Sequence, residues 1–257
     1  MVSIHPIRAL KDNYIWLLRS PKQYACVFDP GESAPVLTFL QKNKLKLLSI
    51  LITHHHWDHV SGVLELLQHY PNITVYGPAH DAINGLNNPV SEPNEIYLPE
   101  LELSFKVLSI PGHTLDHIAY YNNKFLFCGD TLFSAGCGRV FEGTMPQMLQ
   151  SLEKLKALDG DILMFCAHEY TKKNLEFALT LEPENLAIKK RLCQVKEQLA
   201  QEKPSLPVRL REEKQTNPFL RCREAKLIQA VIKKDPRIDP KDPIAVFTAL
   251  RKWKDTY

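Results

Sequence analysis

The segment Thr53-His54-His55-His56-Trp57-Asp58-His59 packs five potential metal ligands, four histidines and an aspartate, into seven residues, directly after the apolar run Leu45–Ile52. In an extended backbone alternate side chains share a face, so His54 and His56 converge while His55 points away. Asp58 and His59 fall where the helical pattern Val60–His69 begins. Three further donors follow apolar runs in the same way: His113 after Phe105–Ile110, Asp130 after Lys124–Cys128, and His168 after Ile162–Cys166. Together these are seven candidate ligands: His54, His56, Asp58, His59, His113, Asp130 and His168. A catalytic zinc uses about three protein ligands and keeps a position for water. Seven is too many for one ion and suits two divalent ions sharing one bridging carboxylate. All donors are imidazole or carboxylate, so zinc is expected, with iron or manganese also admissible.

The elements that must hold these donors are readable from periodicity. Short β-rich runs alternate with turn signals at Tyr14–Leu18, Tyr24–Phe28, Leu45–Ile52, Ile73–Tyr76, Phe105–Ile110, His117–Tyr121, Lys124–Cys128 and Ile162–Cys166. Helical patterns at Val60–His69 and Met145–Leu158 lie between them. That mixture predicts a layered α/β domain over residues 1–170. After Tyr170 the patterns are helical, at Lys172–Leu181, Asn185–Gln201, Arg223–Lys233 and Pro243–Lys254, with prolines at the breaks. A second, helical domain is therefore expected over residues 171–257.

Charge divides at the same place. Residues 1–170 hold 12 Lys/Arg against 17 Asp/Glu, and residues 171–257 hold 20 against 12, while all ten histidines lie in the first part. The whole chain, at 257 residues, 44% hydrophobic and 24% charged, excludes bulk disorder and fibrous repeats. Its six cysteines form no Cys-x-x-Cys pair, so reduced and largely buried thiols are expected. The first residues carry no apolar signal core, and the longest apolar run is too short to span a bilayer. A cytoplasmic, soluble monomer with no membrane or nucleic-acid partner is the expectation.

With Thr53–His59, Pro111-Gly112-His113-Thr114 and Phe127-Cys128-Gly129-Asp130-Thr131, the chain resembles the metallo-β-lactamase superfamily, whose signature is His-x-His-x-Asp-His. The further blocks Asp12-Asn13-Tyr14-Ile15-Trp16, Phe28-Asp29-Pro30-Gly31, Gly136-Cys137-Gly138-Arg139, Phe141-Glu142-Gly143-Thr144 and Ala167-His168-Glu169-Tyr170-Thr171 make it similar to glyoxalase II, the hydroxyacylglutathione hydrolases. The resemblance implies an αββα four-layer sandwich with a C-terminal helical domain. It implies one ion held by His54, His56 and His113, a second by Asp58, His59 and His168, and Asp130 bridging. It implies that Arg139, the residue at Phe141, Tyr170, Arg251 and Lys254 hold glutathione. The implied reaction is hydrolysis of S-(2-hydroxyacyl)glutathione thioesters, such as S-D-lactoylglutathione, by a metal-bound hydroxide, with Asp58 and Asp130 as the catalytic carboxylates. This is the second step of methylglyoxal detoxification.

Three positions depart from the family pattern or vary in it. Trp57 fills a variable slot. Phe141 stands where some members have tyrosine, which removes a hydroxyl. Asp116 stands where glycine is usual, and the preferred account is an unusual backbone angle that Asp tolerates, with support of a ligand histidine as the other. His117 is expected to back a ligand, His55 to pack rather than ligate, and His5, His69 and His80 to be surface or loop residues. Two rivals share the fold, a glutathione-persulfide dioxygenase with one iron and a metal-dependent RNA-processing nuclease; a silent metal-binding protein is the third. The basic tail has no run of five Lys/Arg, which speaks against the nuclease.

Overall fold

A computed structural model describes residues 2–257, and the chain divides into two compact units. The first comprises residues 1–109, 116–129 and 165–168; the second comprises 110–115, 130–164 and 169–257.

The first unit is built on two sheets. One has the order β1 (Ser3–Ala9), β2 (Asn13–Arg19), β3 (Tyr24–Phe28), β4 (Lys46–Leu51), β5 (Thr74–Gly77), β6 (Asn88–Pro89), antiparallel through β3 and parallel beyond. The other contains the antiparallel series β7 (Glu95–Leu98), β8 (Leu103–Ser109), β9 (Ile118–Tyr121) and β10 (Phe125–Gly129). Strands β2, β3 and β4 read as nearly continuous apolar runs because both of their faces are covered. Ile15, Leu17, Ala25, Val27, Leu47 and Ile50 face Val36 and Leu40 of α1 (Ala34–Asn43) and Leu66 of α3 (Val63–His69). The alternate residue Phe28 meets the other sheet: its ring stacks on Phe127 at 3.8 Å and meets Phe105 and Tyr120 edge-on. Helix, sheet and sheet are thus three layers within this unit.

The eight expected strands all form. The helical pattern expected over Val60–His69 is two helices, α2 (Trp57–Val60) and α3, separated at Ser61-Gly62. Gly62 is pressed on the Pro30 carbonyl, which its amide meets at 2.9 Å, and that contact interrupts the run. Periodicity did not single out β1 or α1. Pro6 marks β1 as a sheet edge, where no partner needs its missing N–H.

The second unit holds a short hairpin, β11 (Leu132–Phe133) with β12 (Gly136–Cys137), the beginning of β13 (Leu163–Cys166) paired with β14 (Val208–Arg209), and six helices. The helices are α4 (Met145–Lys156), α5 (Thr171–Leu181), α6 (Leu186–Ala200), α7 (Leu210–Thr216), α8 (Ala225–Lys234) and α9 (Pro243–Asp255). Their starts are set locally: Thr144 and Gln147 form a capping box, while Asn185 and Asp242 cap α6 and α9 with side-chain oxygens. Ala135, Leu175, Ala178, Ile188 and Val195 form one core of this unit. Phe177, Phe219 and Phe247 form an aromatic series beside it. Among the described residues no helix is long and apolar enough to cross a membrane.

Candidate metal centre

Each of the four donor segments begins just past a strand end: Leu51 closes β4, Ser109 closes β8, Gly129 closes β10 and Cys166 closes β13. In the first unit, Asp58, His59 and His168 bring one ligand atom each to within 4.8 Å of one another. Asp58 Oδ2 lies 3.6 Å from His59 Nε2 and 3.5 Å from His168 Nε2. Two ligands at about 2.0–2.1 Å from one tetrahedral ion sit about 3.3–3.4 Å apart, so this set fits a single divalent cation.

The opposite nitrogens are held by protein. His168 Nδ1 meets Asp12 Oδ1 at 2.8 Å, and His59 Nδ1 lies 3.2 Å from Asp29 Oδ2. A carboxylate on Nδ1 fixes the ring and turns Nε2 toward a metal. Asp29 also accepts from the Thr53 amide at 2.7 Å and the Thr53 hydroxyl at 2.8 Å, so one buried carboxylate organises both ends of the histidine run. Asn13 donates to Asp58 Oδ2 at 3.0 Å, and the Tyr14 amide donates to the Ala167 carbonyl at 2.7 Å. The start of β2 thereby fixes Asp58 and the His168 segment together. Gly31 makes room: a Cβ there would lie 1.9 Å from the Asp58 carbonyl oxygen.

His54 and His56 also lie in this unit, their ring centroids 4.7 Å apart. His54 Nδ1 is 3.1 Å from the Thr53 hydroxyl. His117 backs His54 by stacking, with rings 4.5 Å apart and 15° from parallel. Asp116 corrects the expectation of an unusual backbone: it does not take a positive φ, whereas Asp29 does at 49°. Its carboxylate instead meets His55 Nδ1 at 2.9 Å, a histidine outside the ligand set.

The second unit carries the remaining two donors. His113 Nε2 lies 3.6 Å from Asp130 Oδ2, again the separation of two ligands on one ion. His113 Nδ1 meets the Arg139 carbonyl oxygen at 2.8 Å. Gly138 permits this approach, since a Cβ would fall 1.9 Å from the Asp130 carbonyl oxygen and 3.1 Å from His113 Nδ1. The hairpin between Asp130 and Arg139 is held by side chains from the helices. Buried Glu213 accepts from the Ser134 hydroxyl and the Ala135 amide, both at 2.7 Å; Asn217 donates to the Phe133 and Gly136 carbonyls; Asn174 donates to the Ser134 carbonyl. Burial pushes the Glu213 carboxyl above its usual range, and these donors act against that shift. No spacing signal in the sequence marks Glu213, Asn217 or Asn174. Asp12, Asn13 and Asp29 do sit inside quoted sequence blocks, but their types alone assign no role.

The residues expected to hold glutathione differ in availability. Arg139 is 60% exposed at its side chain, beside Asp255 at 3.4 Å, and Phe141 is 62% exposed with its ring 5.2 Å from that of His113. Tyr170 is half-buried with its ring edge-on to Phe133. Lys254 lies over the Phe177 and Tyr257 rings. Burial, then the charges of Arg251 and Lys173, brings its ammonium down to about 8. Arg251 is the least available of the set. It is 4% exposed, donates to the Cys137 carbonyl at 2.7 Å, pairs with Asp255 at 3.1 Å and covers the Phe219 ring. It holds β12 in place.

A histidine and aspartate cluster on strand ends of two apposed sheets defines a class, and the comparisons agree. Residues 10–168 match the family model described as metallo-beta-lactamase superfamily, and residues 169–257 match that described as hydroxyacylglutathione hydrolase C-terminus. The fold is that of the superfamily, α/β with the four-layer sandwich and a C-terminal helical region. The hydroxyacylglutathione hydrolase of Nitrosomonas eutropha is 47% identical, and that of Vibrio cholerae is also 47% identical, each with both chains covered in full. Among solved structures, ETHE1 from Myxococcus xanthus has a TM-score of 0.63 at 23% identity, covering 99% of each chain. A protein crystallised in a di-iron-bound form has a TM-score of 0.60 at 23% identity, covering 84% of this chain and all of its own. This chain belongs to the hydroxyacylglutathione hydrolase family.

Proposed function

We propose that the protein hydrolyses S-(2-hydroxyacyl)glutathione thioesters to glutathione and a 2-hydroxy acid, in the cytoplasm and as a monomer. The observation that carries this is the convergence of His59 Nε2 and His168 Nε2 on Asp58 Oδ2, in a chain that matches its relatives from end to end. Residues 1–170 supply the metal centre and residues 171–257 the helical glutathione-binding part. His54, His56 and His113 would hold one ion, Asp58, His59 and His168 the other, and Asp130 would serve both. The donors suit zinc, with iron or manganese also admitted. When bound they supply the Lewis acidity that makes water a nucleophile near neutral pH and stabilises a carbonyl oxyanion.

The chain's own groups do the rest. Asp58, fixed by Asn13, orients the attacking water through a carboxylate oxygen. The C–O bond forms as the C–S bond breaks, and the sulfur departs as a thiolate whose conjugate acid has a pKa of about 8.5, so it needs no acid to protonate it. Arg139, Tyr170 and Lys254 hold the anionic carrier, and the ring of Phe141 lies beside His113. The decisive experiment is hydrolysis of S-lactoylglutathione alongside metal analysis of the same preparation. Turnover with about two ions per chain is expected; an inert thioester with oxygen uptake on glutathione persulfide would replace this reading.

A further inference from the structure

Three ligand-type side chains of the first unit gather outside the set assigned above. His55, His80 and Asp116 each offer an atom within 4.8 Å of the others. Their rings and carboxylate are arranged rather than scattered: His55 and His80 stack at 3.8 Å and 6°, and Asp116 Oδ1 fixes His55 Nδ1 at 2.9 Å. The second carboxylate oxygen of Asp116 is buried with no hydrogen-bond partner, on a side chain only 10% exposed. A buried carboxylate oxygen without a donor is costly, and a cation is one of the few groups that relieves it. Beside the cluster a cleft of about 320 Å³, lined by His55, Trp57, Ala82 and Asn84 among others, opens to solvent.

We propose that His55, His80 and Asp116 form a further cation site, separate from the hydrolytic centre, for a borderline divalent ion such as Zn(II), Co(II), Ni(II) or Cu(II). Two imidazoles and one carboxylate select that class over Mg(II) and Ca(II), which prefer all-oxygen sites. Parallel stacked rings cannot both hold one ion in their planes, so one ring turns. His80 is the exposed partner, and turning it gives up the stack on His55 and the 3.2 Å hydrogen bond that its Nδ1 accepts from the Ala82 amide. Because His55 lies between His54 and His56 in the chain, the ion ties that segment to the loop bearing His80.

The site is tested on the purified, full-length protein, dialysed to constant metal content and then titrated with Ni(II) or Cu(II) at neutral pH. The wild type is expected to take up one more ion than His80→Ala and than Asp116→Asn. The additional Cu(II) should show hyperfine coupling to two imidazole nitrogens that His80→Ala loses. Equal uptake by wild type and His80→Ala, or an added copper with oxygen donors only, would overturn the site. Loss of the hydrolytic ions in His80→Ala would also overturn it, by showing that the cluster is not separate. Uptake is counted without reference to turnover, so failure of the proposed reaction leaves this result distinct.

Discussion

The proposed ligand set of the first unit and the proposed glutathione residues of the second are built in opposite ways. Asp58, His59 and His168 are buried or nearly so, and each has a partner that fixes it: Asn13, Asp29 and Asp12 respectively. Arg139 and Phe141 are exposed, and Lys254 rests on rings. A metal demands fixed donors within a few tenths of an ångström; the two histidines are held at the nitrogen opposite the converging one, and Asp58 is held by a donor to the converging oxygen itself. A flexible anionic peptide asks for charge in the right region, so long side chains at the surface suffice. Arg251 shows the boundary between the two styles: a cation that the family resemblance places with the substrate donates to the backbone of β12.

Substitutions test the contrast. Asp130→Ala is expected to have the largest effect, with loss of metal from both positions and nearly all turnover; metal analysis with kcat measures it. A variant retaining one fully active ion would refute the bridging role. Asp12→Ala should weaken metal binding at the His168 position by about 10–100-fold while the fold survives, as read by competition with a chelator. If affinity is unchanged, the ligand set does not depend on its supports. The smallest effects belong to the second unit, and there the two cations should separate. Lys254→Ala should raise KM several-fold with little change in kcat, whereas Arg251→Ala should act mainly on stability, lowering it by about 2–4 kcal/mol. The wild-type KM should itself rise with pH, because Lys254 carries its charge below about 8 and loses it above, and that rise should vanish in Lys254→Ala. A KM that stays flat across that range would remove Lys254 from the substrate contacts.

The strands were legible in the sequence, and the candidate donors stood out beside them, for the same reason. Apolar runs buried on both faces announce themselves, and the residues just past their ends are the ones free to converge. The alternation argument separated His54 and His56 from His55, whose ring meets Asp116 and His80 instead. What the sequence hid depends on contacts distant along the chain. Glu213 meets Ala135 across 78 positions, and Asp12 meets His168 across 156, so no local pattern exposes either. Helix α9 was legible as an amphipathic basic segment, yet which of its cations turns inward is decided by packing against Phe219 and Cys137. Asp116 was visible as a departure from glycine, but its purpose became clear only from the partner it meets.

The hairpin of residues 132–137 carries a consequence for how such a protein can be rebuilt. Glu213, Asn217 and Asn174 grip its backbone, and the compact unit that contains them also takes in 110–115 and 130–164. A graft that transplants only the final helices onto another scaffold would leave those grips with nothing to hold. A recipient would have to inherit the loop bearing His113 and the stretch from Asp130 through α4 as well. The heritable piece is thus discontinuous in sequence, and the tail proposed to bind substrate cannot be exchanged without carrying two proposed metal ligands, His113 and Asp130, along with it.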